Sequence, residues 1–179
     1  MRRGRRASDT IIIVLTLGVA WMAKRFYSEA TFDDLLWLLA PTAGLVEGVT
    51  GAGFELEAHQ AYLSRELLFE IVPSCAGMNF LIAAFCSLAI GLVHTRKTLP
   101  GKLTFVMASA VGAYLVTLLA NTVRIVIAMR LHHAGISLGP LTPDRLHRIE
   151  GIATYVLFLC ATFWLAAIMT GARHDPARS

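Results

Sequence analysis

The sequence predicts an all-α fold: a polytopic transmembrane bundle of about five helices, with a short extracytoplasmic β-hairpin placed before Cys75. Three observations carry this. The 179 residues are 56% hydrophobic and 16% charged, against about 25% charged in a typical soluble domain. Several apolar runs approach the ~20 residues needed to cross a bilayer. The cations are gathered into the ends and links, so the net charge of +4 reads as membrane topology and not as a nucleic-acid surface. Residues 1–179 read as a single integral membrane domain with no separate soluble one. No signal-peptide cleavage site is expected, because the first apolar run ends in Ala20-Trp-Met-Ala-Lys24, whose bulky Trp21 and Met22 suit processing poorly.

Five apolar segments follow in order. Ile11 to Ala23 is the first and is short. Leu35 to about Phe54 is the second, interrupted by Pro41 and Glu47. Cys75 to Val93 carries no charge, Leu103 to Met129 carries only Arg124, and Ile152 to Thr170 again carries none. The last three are helices, since lipid requires each backbone N–H and C=O to be satisfied within its own segment. Between Phe54 and Val72, Phe54-Glu-Leu-Glu-Ala58 and Leu67-Leu-Phe-Glu-Ile-Val72 flank a polar centre, and the first alternates apolar with polar residues. A two-stranded hairpin delivering the chain into Cys75 is the expectation.

The link His94-Thr-Arg-Lys-Thr-Leu-Pro-Gly-Lys102 has three cations and no acid, which assigns it to the cytoplasmic side. The third segment then runs inward, the fourth outward and the fifth inward. Cys75, Arg124 and His147 fall at one, outer, face. The beginning of the chain conflicts with this. Arg2, Arg3, Arg5 and Arg6 argue for an inside start, and two full crossings from there would leave Cys75 inside. Either the N-terminus is outside or one early segment does not cross.

At that face three side chains suggest chemistry. Cys75 follows Pro73-Ser74; with Ser74 as N-cap the thiol would sit in the first turn of a helix, whose positive end favours thiolate. A small buried core cysteine is the commoner role. Cys86, about 16 Å along the same helix, and Cys160, inside the fifth segment, keep that role. Arg124 costs free energy in an apolar span, near 2.5–3.5 kcal/mol at the bilayer centre and less toward the interface. A snorkelling arginine would explain it. However, Asn121, three residues earlier on the same face, is placed to orient the guanidinium. His147 stands just before the fifth segment, with Glu150 and Gly151 at i+3 and i+4. His59, His132 and His133 compete for the role of base on spacing alone. No His/Cys/Asp/Glu cluster has metal-ligand spacing, and GxSxG, P-loop and HExxH patterns are absent.

The order Ser74-Cys75-Ala76-Gly77, then Asn121-x-x-Arg124-Ile125, then His147-x-x-x-Gly151 resembles the exosortase/archaeosortase family over about residues 54–170. Pro73-Ser-Cys-Ala-Gly-Met-Asn-Phe80 and the short chain look most like its exosortase K branch. The resemblance implies a membrane-embedded cysteine protease or transpeptidase in the bacterial cytoplasmic (inner) membrane, working on the extracytoplasmic face. Its substrates would be exported proteins carrying a C-terminal sorting signal: a short motif, a transmembrane helix and a basic tail. It assigns Cys75 as nucleophile, Arg124 as stabiliser of the oxyanion or thiolate, and His147 as general acid/base, and implies no cofactor or metal. The chain is shorter than most members, and Cys-Ala-Gly replaces the commoner Cys-Ser-Gly. Two other classes compete. A non-catalytic membrane scaffold or assembly partner is compatible with any apolar bundle. A small transporter subunit could use Arg124 and Glu47, although the third and fifth segments offer almost no polar path.

Overall fold

The computed structural model describes residues 2–58, 60–133 and 143–171, with side chains described over 7–58, 60–131 and 148–171. The order of elements is α1 (Arg2–Glu29), α2 (Leu36–Thr50), three short strands β1 (Glu55–Glu57), β2 (Ala61–Ser64) and β3 (Phe69–Ile71), then α3 (Met78–Leu92), α4 (Leu99–His133) and α5 (Pro143–Met169). Four stretches are long and apolar enough to cross a membrane: Ala7–Glu29, Pro73–Thr95, Leu99–Leu131 and Arg148–Met169. The protein is a multi-pass helical membrane protein.

The second apolar segment of the sequence is not among these. α2 has 15 residues with Pro41 inside it, and at 1.5 Å per residue that is about 22 Å, short of the ~30 Å hydrocarbon core. It stops at Gly51, whose φ of +75 lets its N–H reach the Glu47 carbonyl at 2.8 Å. The Glu47 carboxylate is used locally, with Oε1 accepting the N–H of Phe54 at 2.6 Å. The hairpin is also more than expected. β2, built from the supposed polar centre, pairs antiparallel with both β1 and β3, and the order is β1-β2-β3. The turns that fold it carry left-handed backbone at Ala58 (φ 43) and Leu68 (φ 48). Neither is a Gly or Asn, so the sequence lacks the signals that announce such turns.

The chain divides into two compact units. The first comprises Met1–Ser28, Met78–Val116 and Leu159–Ser179. In it α1 buries a single stripe, Ile12, Thr16 and Ala20, at the four-residue spacing of one helix face, and exposes most of its remaining apolar side chains. Leu88, Leu92 and Ala167 form a core cluster with Phe105 and Ala166 against it. Two polar ties fix the direction of α1. Near its start, Asp9 Oδ1 lies 2.7 Å from the Nζ of Lys102, which also donates to Ser8 Oγ. Near its end, Lys24 Nζ donates to Asn79 Oδ1 at 2.7 Å. The start of α1 therefore meets the start of α4, and its end meets the start of α3. α1 is among the stretches long and apolar enough to cross and α2 is not; a single early crossing would reconcile a basic N-terminus inside with Cys75 outside. Lys102, counted among the loop cations in the sequence, is fully buried.

The second unit comprises Glu29–Gly77 and Thr117–Phe158. Its interior includes Leu35, Leu38, Leu39 and Val46 from the α2 region, and Ile71 from β3. Ile125 of α4 is buried in the same unit. Phe32 meets Tyr62 with ring centroids 5.7 Å apart. Before α2, Asp34 accepts from both the N–H (2.9 Å) and the hydroxyl (2.8 Å) of Thr31, and these bonds hold its carboxyl below the ordinary aspartate range.

Candidate active site

Cys75, Gly77, Thr117, Asn121, Arg124, Glu150, Gly151, Thr154 and Tyr155 lie within the second unit. β3 ends at Ile71, Val72 stays extended, and Pro73–Cys75 make one 3-10 turn with Pro at its opening, where no N–H is needed. The Cys75 N–H bonds to the Val72 carbonyl at 2.8 Å and the Ala76 N–H to that of Pro73 at 3.1 Å. Gly77 then takes φ +73, and α3 begins only at Met78. This corrects two sequence expectations. Cys75 does not sit in the first turn of the apolar helix, and Ser74 does not cap it; the N-cap of the turn is Val72, with no side-chain cap bond. The proline and glycine on either side of Cys75 make a separate turn of it.

The thiol is buried, at 9% exposure. From α4, the fully buried Asn121 donates through Nδ2 to the Cys75 carbonyl. Its Oδ1 accepts from the Tyr155 hydroxyl of α5 at 2.9 Å, and the Tyr155 oxygen accepts in turn from Arg124 Nη1 at 2.9 Å. Arg124 Nη2 lies 4.0 Å from Cys75 Sγ. The Arg124 Cζ stands 5.4 Å from the Tyr155 ring centroid, within cation–π range. The donors all run one way, guanidinium to phenol to amide to the Cys75 carbonyl, so each bond polarises the next.

Two glycines make the approach possible. A Cβ on Gly77 would stand 3.3 Å from Asn121 Cγ, Thr117 Cγ2 and Tyr155 Oη, and one on Gly151 would stand 3.4 Å from Arg124 Cδ. Thr154 Oγ1 donates to Glu150 Oε1 at 3.1 Å. Arg124 Nε is buried with no hydrogen-bond partner among the described residues.

The family model for the transmembrane exosortase (Exosortase_EpsH) matches residues 42–165, a span that includes each of these side chains. The chain belongs to the exosortase family. None of the curated proteins or solved structures compared with it is similar.

Within this exosortase the sequence candidates are distributed as follows. Cys75, Asn121 and Arg124 meet directly or through Tyr155. His147 is inside α5, not before it, because that helix starts four residues earlier with Pro143 at its first position. The polar turn 143–148 is missing from a search for apolar runs, although it is helical. The His147 side chain lies outside the described residues. Its register places it four residues before Gly151 and eight before Tyr155, on the helix face those two share. His132 and His133 end α4 with side chains outside the described residues, and His59 lies outside them altogether. Cys86 and Cys160 are free thiols in α3 and α5. The residue that sequence reasoning missed is Tyr155, which reads as an ordinary aromatic of an apolar helix. The signal available was its four-residue spacing from Gly151.

Proposed function

We propose that this exosortase is a cysteine protease or transpeptidase that cleaves the C-terminal sorting signals of membrane-anchored exported proteins by acyl transfer. The observation that carries the reading is the guanidinium of Arg124 beside the sulfur of Cys75, with Asn121 gripping the carbonyl of that same cysteine. The Cys75 sulfur gives its proton to His147 and bonds to the scissile carbonyl carbon. Charge then develops on the carbonyl oxygen, and Arg124 stabilises it. Collapse of the tetrahedral intermediate breaks the C–N bond, the leaving amine takes the proton from His147, and a thioester to Cys75 remains. An acceptor nucleophile gives a proton back to His147, takes the acyl group, and restores the cysteine.

Arg124 suits this role because its donor capacity is not exhausted by the described residues. A guanidinium offers five N–H donors, and those facing Tyr155 leave Nε and part of Nη2 for an oxyanion. The substrate would be held by its own transmembrane helix in the same bilayer, so a weak peptide site suffices through effective concentration. The enzyme would sit in a bacterial cytoplasmic membrane with Cys75 at the extracytoplasmic end of its span. The support is Arg96 and Lys97, which follow the other end of that span. The run Pro73 to Phe80 favours the exosortase K branch.

The test is Cys75→Ala in cells, with the length of tagged proteins bearing a C-terminal helix and basic tail as readout. Unprocessed protein should accumulate while the variant stays at its normal membrane level. Processing that continues unchanged overturns the proposal and leaves a non-catalytic scaffold.

A further inference from the structure

We propose that Tyr155 is a positioning residue of this site: it holds the Arg124 guanidinium against Cys75 and, through Asn121, fixes the main chain of the nucleophile. Its catalytic meaning rests on the acyl-transfer reading above.

An arginine side chain carries about 2 kcal/mol of rotamer entropy, and a charge that must meet an oxyanion at a defined place cannot be left to sample it. α5 restrains Arg124 at two points one helical turn apart. At Gly151 the absent Cβ leaves room for the stem, with Arg124 Cδ and Nε 3.4 and 3.6 Å from where that atom would be. At Tyr155 the ring supports Cζ and the hydroxyl accepts from Nη1. With Nη1 turned to the phenol, Nη2 is the nitrogen that faces Sγ.

The same hydroxyl has a second task. Asn121 is fully buried and its amide must keep one orientation to donate to the Cys75 carbonyl. A flipped amide would set its NH₂ against the phenol, and the Tyr155 proton given to Oδ1 selects the correct side. One phenol thereby fixes the nucleophile's backbone and the cation beside its sulfur. Packing alone needs only the ring; the hydroxyl is what both contacts use.

The experiment needs no substrate. Cys75 is modified with two methanethiosulfonates of similar size, one ending in a sulfonate and one in a trimethylammonium, at a single pH in membranes. Cys86 and Cys160 are replaced by Ala. The ratio of the two rates cancels the fraction of thiolate and reports the local charge. In the parent the anionic reagent should be favoured by about tenfold, as expected for one cation a few ångströms beyond the sulfur in a partly screened site. Tyr155→Phe, which keeps the ring, should bring the ratio most of the way to that of Arg124→Ala. Added to Arg124→Ala it should change the ratio no further. 4-Aminophenylalanine at position 155, which restores a donor and acceptor on the same ring, should recover the preference.

A Tyr155→Phe protein with the parent's ratio overturns the proposal. So does an equal effect of that change with and without Arg124, which would mean that the phenol does not act through the guanidinium. Failure of Cys75 to react with either reagent would refute a nucleophile open to substrate, and with it the role given to Tyr155. If instead the charge preference behaves as described but Cys75→Ala still processes substrate, only the acyl-transfer reading fails.

Discussion

Gly77→Ala separates backbone strain from crowding at the site, because the chain contains its own control. Gly77 and Gly51 have nearly the same φ, +73 and +75. A left-handed conformation costs a residue with a Cβ about 1–2 kcal/mol, and both substitutions incur this. Around Gly51 the new methyl would meet nothing within 4 Å. Around Gly77 it would meet Asn121, Thr117 and Tyr155 at 3.3 Å each, from two helices. All three contacts are tight, and the neighbours are tied by hydrogen bonds, so the added methyl has to displace them. Overpacking of this kind costs about 1–3 kcal/mol. Gly51→Ala should therefore lower stability by about 1–2 kcal/mol and Gly77→Ala by about 2–5 kcal/mol. Reversible unfolding in mixed detergent micelles with increasing dodecyl sulfate measures both. Gly77→Ala should also alter the rate of Cys75 alkylation, whereas Gly51→Ala should leave it alone. Equal destabilisation by the two changes would refute the close packing of the Cys75 turn against α4 and α5.

Two predictions concern the first unit. Asp9→Asn leaves the fully buried Lys102 without its carboxylate and should cost about 3–5 kcal/mol, while Asp9→Leu combined with Lys102→Met should recover most of that in the same unfolding assay; equal loss in the single and double variants would contradict it. Gly91→Ala would put a Cβ 2.6 Å from the Phe163 ring, so it should destabilise by about 1–3 kcal/mol and be relieved by Phe163→Leu, with no relief counting against the α3–α5 contact.

Much of the bundle was legible because hydrocarbon leaves few options: an apolar run of sufficient length must be a helix. The errors occur where that constraint lapses. α2 is apolar enough to suggest a span, but Pro41 and the glycine-rich end shorten it, and only length in ångströms disqualifies it. The start of α5 is polar and helical, a combination invisible to hydropathy. β2 hid in a polar stretch because its flanking turns use Ala58 and Leu68 in place of glycine or asparagine. At the site, the residues with unusual chemistry for a membrane, Cys75, Asn121 and Arg124, could be picked out from position and type. Tyr155 could not, since its importance lies in what its hydroxyl touches. Gly77 and Gly151 are intermediate cases. Their place in the pattern was visible, but the reason for it, the approach of Asn121 and Arg124, exists only in three dimensions.

Under the acyl-transfer reading, Arg124 turns the cost of a charge in an apolar span to use. Had the guanidinium been fully satisfied by a carboxylate and carbonyls, it would be stable there and have nothing left to give an oxyanion. Had it been left bare, the cost of a charge in an apolar span, about 2.5–3.5 kcal/mol at the bilayer centre and less toward the interface, would stand uncompensated. The observed partners are intermediate in strength: a phenol oxygen, an aromatic face and a sulfur at 4.0 Å. These ligands hold the cation in place while leaving Nε without a hydrogen-bond partner among the described residues. A neutral phenol also serves orientation better than a second carboxylate would. It fixes the direction of Nη1 without neutralising the charge that faces the sulfur. Under the acyl-transfer reading, an oxyanion would call for donors aimed before the reaction and satisfied only during it, and a cation held by the Tyr155 phenol beside the Cys75 sulfur has that form.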